Sequence, residues 1–270
     1  MTPDQWLALA SWLGAHALPV FVALLCALLL LVAFVAWVWR GQVLHRKRAT
    51  LSQHAVLLLN VAAGFAIVFG AAAGFAEIAE QLGTGGAMAP ADEALSVSIR
   101  GHVGVGTLQV FGLLTHLADP GVLALLGVAV AGWLWWRGQR TLALGWVLAL
   151  GGNALLNPML KRVFERVRPV HADGLVAELG WSFPSGHTSG ATVAYGMLAY
   201  VMLRTLPTVW HLPAVLGATA VAFTVGSSRV FLQVHFASDV VAGFASGTAW
   251  LVVCILSVGA SQRWRRMRSR

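Results

Sequence analysis

Three short clusters in this 270-residue chain carry side chains whose types and spacing could do chemistry. The first is Lys161-Arg-Val-Phe-Glu-Arg-Val-Arg168-Pro169. Lys161 and Arg168 are seven apart, two turns of a helix, so both cations point the same way if the helix runs that far. Pro169 then breaks the pattern. Arg162, Glu165 and Arg166 fall off that face, and their spacing reads as a solvated interfacial cluster. The second cluster is Phe183-Pro184-Ser185-Gly186-His187. Here Pro184 suits a helix start, Ser185 an N-cap, and Gly186 lets backbone approach a ligand. The free N–H groups and dipole of such an end favour an anion. The third cluster runs from Ser228 and Arg229 through His235 to Asp239. His235 and Asp239 lie one helical turn apart, so the carboxylate can fix the imidazole tautomer and leave the other nitrogen as nucleophile or base. Arg229 offers a planar fork for phosphate.

Each cluster alone has a plainer reading: lipid-headgroup anchoring, a capped helix start with a bystander histidine, or a His–Asp brace between helices. Together they hold three cations, two histidines, a carboxylate and a helix N-terminus. That set suits an oxyanion substrate whose transition state gathers charge on equatorial oxygens.

The elements that must position these residues are membrane helices. The chain is 58% hydrophobic and 10% charged, with a mean hydropathy of +0.76. The formal charge of +8 would by itself suggest a nucleic-acid partner, but so apolar a chain is no soluble polyanion binder. Seven runs are candidate crossings: residues 17–39, 55–76, 120–136, 141–160, 188–203, 212–228 and 240–260. The first is too long for a signal-peptide core and has no basic region before it, so it reads as a retained helix. The Lys and Arg between the first two runs set that loop in the cytoplasm. Alternating from there, one face carries twelve basic residues and no acid, the other six basic residues and all ten carboxylates. The N-terminus is therefore expected outside and the C-terminus inside. Trp37, Trp39, Trp133, Trp135 and Trp136 fall where an interfacial belt would lie. Residues 91–101 and 104–117 are expected to be short helices near the outer interface. Four of the six outer cations crowd into residues 161–168, against the topological preference, and so need another reason to be there.

The remaining polar residues take plainer readings. Cys26 and Cys254 are small buried hydrophobes. His45, His54, His211, His16, His102 and His116 are surface or interfacial, while His171 could touch a headgroup. Asn60, Asn153 and Asn157 are inter-helix bridges, with Asn157 one turn before Lys161 and able to brace the site. Gly70 and Gly74 read as close helix packing.

The three clusters in this order also resemble the signature of the type-2 phosphatidic acid phosphatases, the lipid phosphate phosphatases. Every signature position is present: Lys161, Arg168 and Pro169; Pro184, Ser185, Gly186 and His187; Ser228, Arg229, His235 and Asp239. The resemblance covers about residues 90–260. It implies an all-α polytopic membrane bundle: a six-helix phosphatase core over residues 51–262, an additional helix and basic loop over 1–50, and a basic tail over 263–270. It further implies that His235, oriented by Asp239, forms a phosphohistidine, and that His187 protonates the leaving oxygen and then activates water. Lys161, Arg168, Arg229, Ser185 and Gly186 would hold the phosphate. No cofactor is implied, and a metal held by His187, His235 and Asp239 is disfavoured because three flanking cations would repel it. Sixteen Arg against two Lys, with abundant Ala, suggest a GC-rich bacterial genome. For a bacterium the resemblance makes undecaprenyl diphosphate, phosphatidylglycerol phosphate and phosphatidic acid the leading substrates, worked on at the outer face of the cell membrane. A lipid phosphotransferase using the same phosphohistidine, or a non-catalytic lipid carrier, remains open on sequence.

Overall fold

The structure is a computed structural model describing residues 2–46, 53–83, 87–169 and 178–268. His171 and the basic stretch Lys47 and Arg48 lie outside those residues. Ten α-helices follow in chain order, with no strand among the described residues. They are α1 (Pro3–Ala15), α2 (Ala17–Arg46), α3 (Gln53–Gly83), α4 (Met88–His102), α5 (Val105–Thr115), α6 (Pro120–Trp136), α7 (Arg140–Phe164), α8 (Gly186–Thr205), α9 (His211–Phe231) and α10 (Ala237–Arg268). Local signals explain several ends. Thr2 and Gln5 form a capping box that starts α1, with Pro3 in its first turn. Glu165, at a left-handed φ of 44°, closes α7.

A helix corresponds to each of the seven expected crossings. Five of them, α2, α3, α7, α9 and α10, are long and apolar enough to cross a membrane alone. Helix α6 meets that test only together with α5, to which it joins at a bend of 42°. The short helices expected over 91–101 and 104–117 are α4 and α5. Helix α8 falls short of the test because it carries His187, Thr188, Ser189 and Thr192 near its start.

The interior is a bundle core of α6, α7, α8 and α10, where Leu134, Trp146, Val193, Met197 and Val258 are buried together. Trp146 donates its indole N–H to the Gly127 carbonyl at 2.8 Å, satisfying the one polar atom it brings inside. A second cluster joins α5 and α9: Phe111 stacks on Phe231 with ring centroids 4.1 Å apart, and Phe21 of α2 packs edge-on against both. The outer surface is inverted relative to a soluble protein. Phe69 is 78% exposed and Trp136 82% exposed, an apolar covering that lipid rather than water accommodates.

Small residues let the helices meet backbone to backbone, though not where Gly70 and Gly74 stand. Both of those glycines face open space, so the expected close packing there is not found. It occurs instead at Gly243 of α10. A Cβ at that position would lie 2.8 Å from the Ser185 carbonyl and 2.9 Å from Thr188 Cβ. This approach presses the start of α10 against the start of α8.

Candidate active site

The contact between those two helix starts creates the site. Ser185 N–H donates to the Asp239 carbonyl at 3.0 Å, which fastens two of the sequence clusters through main chain alone. The Ser185 side chain caps α8 as expected, accepting from Thr188 N–H at 3.4 Å and from the Thr188 hydroxyl at 2.9 Å. In both bonds the Ser185 oxygen accepts, which leaves its hydroxyl hydrogen, with the first N–H groups of α8, those of Gly186 and His187, as donors for an anion. A Cβ on Gly186 would meet Asn157 Oδ1 at 2.9 Å, so the glycine is needed for space. Asn157 also donates to the Pro184 carbonyl and to Ser189 Oγ, both at 3.4 Å, and so braces the loop as the sequence suggested.

Helix α9 ends at Phe231, and a tight turn with Gln233 at φ 55° swings His235 inward. His235 is 2% exposed and Asp239 fully buried. Nδ1 of His235 lies 3.4 Å from Asp239 Oδ2 and 3.2 Å from Ser182 Oγ, while the Ser182 hydroxyl donates to that same Asp239 oxygen. Ser182 is thus inserted between imidazole and carboxylate, a role nothing in the three clusters indicates. On the other side of the ring, Nε2 lies 3.1 Å from Arg168 Nη1. Burial, with Arg168 and Arg229 adding to it against the pull of Asp239, pushes the His235 pKa down to about 3. The ring is neutral, with a basic nitrogen aimed away from its carboxylate.

The cations do not sit on one helix. Helix α7 stops at Phe164, so Arg168 lies on extended chain beyond it, a correction to the two-turn reading. Arg168 reaches the site nonetheless, donating to the Gly180 carbonyl at 3.0 Å and the Val234 carbonyl at 2.7 Å. Lys161 donates to the Trp181 carbonyl at 2.7 Å. Arg229 is wholly buried, donating to Thr115 Oγ1 at 2.7 Å and pairing with Glu178. Its Nε has no hydrogen-bond partner among the described residues, a donor left over in a place where an unmet one costs about 1–3 kcal/mol.

Glu178 was not singled out by the sequence, yet its carboxylate lies where the cations converge. It pairs with Arg229, stands 3.7 Å from Arg168 Nη2 and stands 3.7 Å from His187 Nδ1. Burial pushes its carboxyl upward, but Arg229, His187 and Arg168 outweigh that and hold it below the usual range. Glu178 stays ionised and fills the anion position. The other ring nitrogen of His187, Nε2, meets Asp119 Oδ1 at 3.1 Å, and the second oxygen of Asp119 meets His116 Nδ1 at 2.7 Å. Asp119 stands where the N-cap of α6 should be but makes no side-chain cap, because both of its oxygens serve histidines. His116 is accordingly one bond behind the site rather than a bystander.

Arg166 requires the largest correction. Read as solvated, it is instead largely buried and donates to Asp239 Oδ1 at 2.6 Å. The early end of α7 explains this: without a helix to hold it outward, the chain after Glu165 turns Arg166 in under α10.

The profile of the PAP2 superfamily matches residues 140–263, which contain all three clusters. Phosphatidylglycerophosphatase B of Bacillus subtilis is 38% identical over 165 residues, 60% of this chain and 79% of that protein. The chain belongs to the PAP2 superfamily. A solved structure of a transmembrane PAP2-type phosphatidylglycerolphosphate phosphatase from Bacillus subtilis matches with a TM-score of 0.65 at 34% identity. That match covers 69% of this chain and 93% of the other. This PAP2 protein is a lipid phosphatase and a multi-pass membrane protein.

One further feature marks it as an enzyme for lipids. A cavity of about 920 Å³ runs between α6 and α7, with His187 and Glu178 at one end and Trp135 and Trp146 at the other. Pro120 to Trp135 spans about 22 Å at 1.5 Å per residue. Gly127, Ala131 and Gly151 line it, small residues that leave the groove open.

Proposed function

We propose that this protein hydrolyses the phosphomonoester of phosphatidylglycerol phosphate at the extracytoplasmic face of the cell membrane, through a phosphohistidine on His235 and without a metal. One observation carries the reading: the neutral His235 stands among Arg168, Arg229 and the start of α8, at the head of an apolar groove of lipid-tail dimensions. A headgroup phosphate entering from the groove takes the place of the Glu178 carboxylate. Nε2 of His235 then attacks phosphorus, and the P–O bond to the lipid breaks as the N–P bond forms. His187 gives its proton to the departing lipid oxygen, and the negative charge of the bound phosphate favours that protonated ring beforehand. Water next attacks phosphorus, losing a proton to His187, and the N–P bond breaks to release phosphate and restore His235. Lys161, Arg168, Arg229, the Ser185 hydroxyl and the N–H groups of Gly186 and His187 hold the oxygens, while the Ser185 oxygen caps α8. That the relatives are phosphatidylglycerophosphatases favours phosphatidylglycerol phosphate over phosphatidic acid and undecaprenyl diphosphate.

In the same reading the chain crosses the membrane seven times, with α6 and α8 completing the count. Its core is 51–262, its added N-terminal unit is 1–50, and its basic tail is 263–270. The twelve-to-six division of cations supports an outer location for the site.

The test is phosphate release from micelles of each of the three lipids, with and without EDTA, for wild type and His235→Ala. Activity is expected to survive the chelator, to be highest on phosphatidylglycerol phosphate, and to fall at least about a hundredfold in the variant. Wild-type turnover in His235→Ala would end the mechanism. For sidedness, single cysteines at Gly41 and Asp173, in a chain lacking Cys26 and Cys254, are expected to label from opposite faces. Equal accessibility would overturn the topology.

A further inference from the structure

Asp239 is held from two sides, and one of them leads away from the substrate. Its Oδ2 faces Ser182, His235 and the Phe236 N–H at 2.9 Å. Its Oδ1 is taken by Arg166 Nη1 at 2.6 Å. The same guanidinium donates through Nη1 to Ser238 Oγ at 2.7 Å and through Nη2 to Asp92 Oδ2 at 2.9 Å, with its plane 4.3 Å from the centroid of Phe236. Asp92, on α4, is 6% exposed and also accepts from the Ser238 N–H at 3.2 Å and from the Ser238 hydroxyl. Two buried carboxylates therefore share one arginine across the start of α10.

Helix α4 grips the His235 turn a second time. Gln233 donates to the Ser96 carbonyl at 2.8 Å and accepts from Arg100 Nε at 3.0 Å. Residues 233 and 238, on either side of His235, are thus both bonded to one helix. That helix is itself covered by α1: Ser98 Oγ donates to the Ser11 carbonyl at 2.7 Å, and a Cβ on Gly14 would stand 2.5 Å from Ser98 Cβ.

We propose that Arg166 is a positioning residue for the phosphatase reaction, pinning Oδ1 of Asp239 so that Oδ2 stays turned to His235, and that Asp92 anchors Arg166 from behind. A carboxylate rotates readily about its terminal torsion unless its second oxygen is fixed. A lysine at 166 would keep the charge, but it cannot bond Asp239, Ser238 and Asp92 at once with a planar fork. Asp92 touches nothing in the anion site, so its whole effect on turnover runs through Arg166 and Ser238. This inference rests on His235 acting as the nucleophile, as proposed above.

The arrangement has a signature in pH. Burial raises the Asp92 carboxyl above the usual range, against the opposing pull of Ser238 and Arg166. Toward it α1 and α3 present Leu9, Leu13, Ile78 and Gln81, none of them charged, so Arg166 is the counter-charge supplied by its neighbours. As pH falls, Asp92 takes up a proton earlier than an ordinary carboxylate and loosens its hold on Arg166.

The experiment measures kcat, KM and the pH profile on phosphatidylglycerol phosphate micelles for the full-length protein. The variants are Arg166→Lys, Asp92→Asn, Arg166→Ala with and without added guanidinium, exposed Arg162→Lys as a control, and His235→Ala as the reference. Arg166→Lys and Asp92→Asn are expected to lose about ten- to a hundredfold in kcat with KM within threefold, the range typical of an orienting partner. Free guanidinium should restore part of the Arg166→Ala loss, Asp92→Asn should shift the acid limb of kcat, and Arg162→Lys should match wild type. Wild-type kcat and pH profile in Asp92→Asn overturn the proposal, whatever the arginine variants do. A rise in KM with unchanged kcat in Arg166→Lys also overturns it, since the arginine would then be binding substrate. Loss of both variants to misfolding, with no guanidinium rescue in refolded protein, reduces the network to a structural one and overturns it too. If His235→Ala itself retains turnover, the proposed mechanism fails and this inference falls with it, whereas a loss in His235→Ala with wild-type behaviour in Asp92→Asn overturns this inference alone.

Discussion

Arg168 donates a guanidinium hydrogen to Nε2 of His235 across 3.1 Å. Since Nε2 accepts, the ring proton of this neutral histidine sits on Nδ1, facing Ser182 and Asp239. The nitrogen that would attack phosphorus is therefore covered by a cation until a phosphate draws Arg168 onto its own oxygens. In the proposed mechanism the same arginine uncovers the nucleophile and binds the substrate. Arg168→Lys keeps the charge and loses the fork, so kcat/KM is expected to fall at least about tenfold, with both kcat and KM affected. Steady-state kinetics on mixed micelles decide this, and an unchanged kcat would show that the arginine only binds.

Ser182 offers a cleaner separation, because it touches His235 and Asp239 and stands behind the ring rather than before it. Ser182→Ala leaves Asp239 without one donor and the Nδ1 proton without its nearest acceptor. The loss of a buried hydrogen-bond partner, about 1–3 kcal/mol, corresponds to about ten- to a hundredfold in kcat. KM should stay within threefold. A variant that keeps full kcat would show the direct contact between His235 and Asp239 to be sufficient.

Glu178 pairs with Arg229 and Arg168, the cations that hold phosphate in the proposed mechanism, and would compete with the substrate for them. Its carboxyl is held below the usual range, so it remains an anion throughout the working pH range. Glu178→Ala should let inorganic phosphate into the emptied position, lowering its inhibition constant at least about threefold. Phosphate inhibition of lipid turnover measures this, and weaker inhibition in the variant would mean that Glu178 helps to hold phosphate rather than opposing it.

The depressed pKa of His235 also links to stability. The unfolded chain's histidine titrates near 6.5 and the folded one near 3. Between those values the unfolded state binds a proton that the folded state does not, so this contribution is complete above pH 6.5 and shrinks as pH falls toward 3. Melting temperatures in detergent at pH 7.5, 6 and 4.5 should fall more steeply for wild type than for His235→Asn. Parallel slopes would mean that the buried ring is not held neutral.

What the sequence made legible was the set of groups around the anion. His235, Asp239, His187, Arg168 and Arg229 do converge, because each stands at a helix end or on the extended chain beside one, and pattern reading finds helix ends well. What it missed are Ser182, Glu178, Asp119, Asp92 and Arg166. Asp119 meets His187 from 68 residues away, and Asp92 meets Arg166 from 74 away. Neither separation carries any period or motif. Arg166 reads as solvated only if the helix continues past Phe164; the chain leaves the helix there and the cation turns inward. The charge pattern was informative for a different reason: arginines crowded together in so apolar a chain need partners, and Asp239, Asp92 and Glu178 pair with Arg166 and Arg168. At α8 the polar residues beside the site dilute the apolar signal of a crossing.

The groove between α6 and α7 lets its outward wall, including Val128 and Val147, open onto the apolar surface of the bundle. An enzyme fed through such a side door meets its substrate in two dimensions. Its rate then follows the mole fraction of phosphorylated lipid in the surrounding leaflet, not the amount per volume of water. Diluting the substrate with inert lipid at constant bulk concentration should slow turnover, while adding more membrane of the same composition should leave the rate per enzyme unchanged.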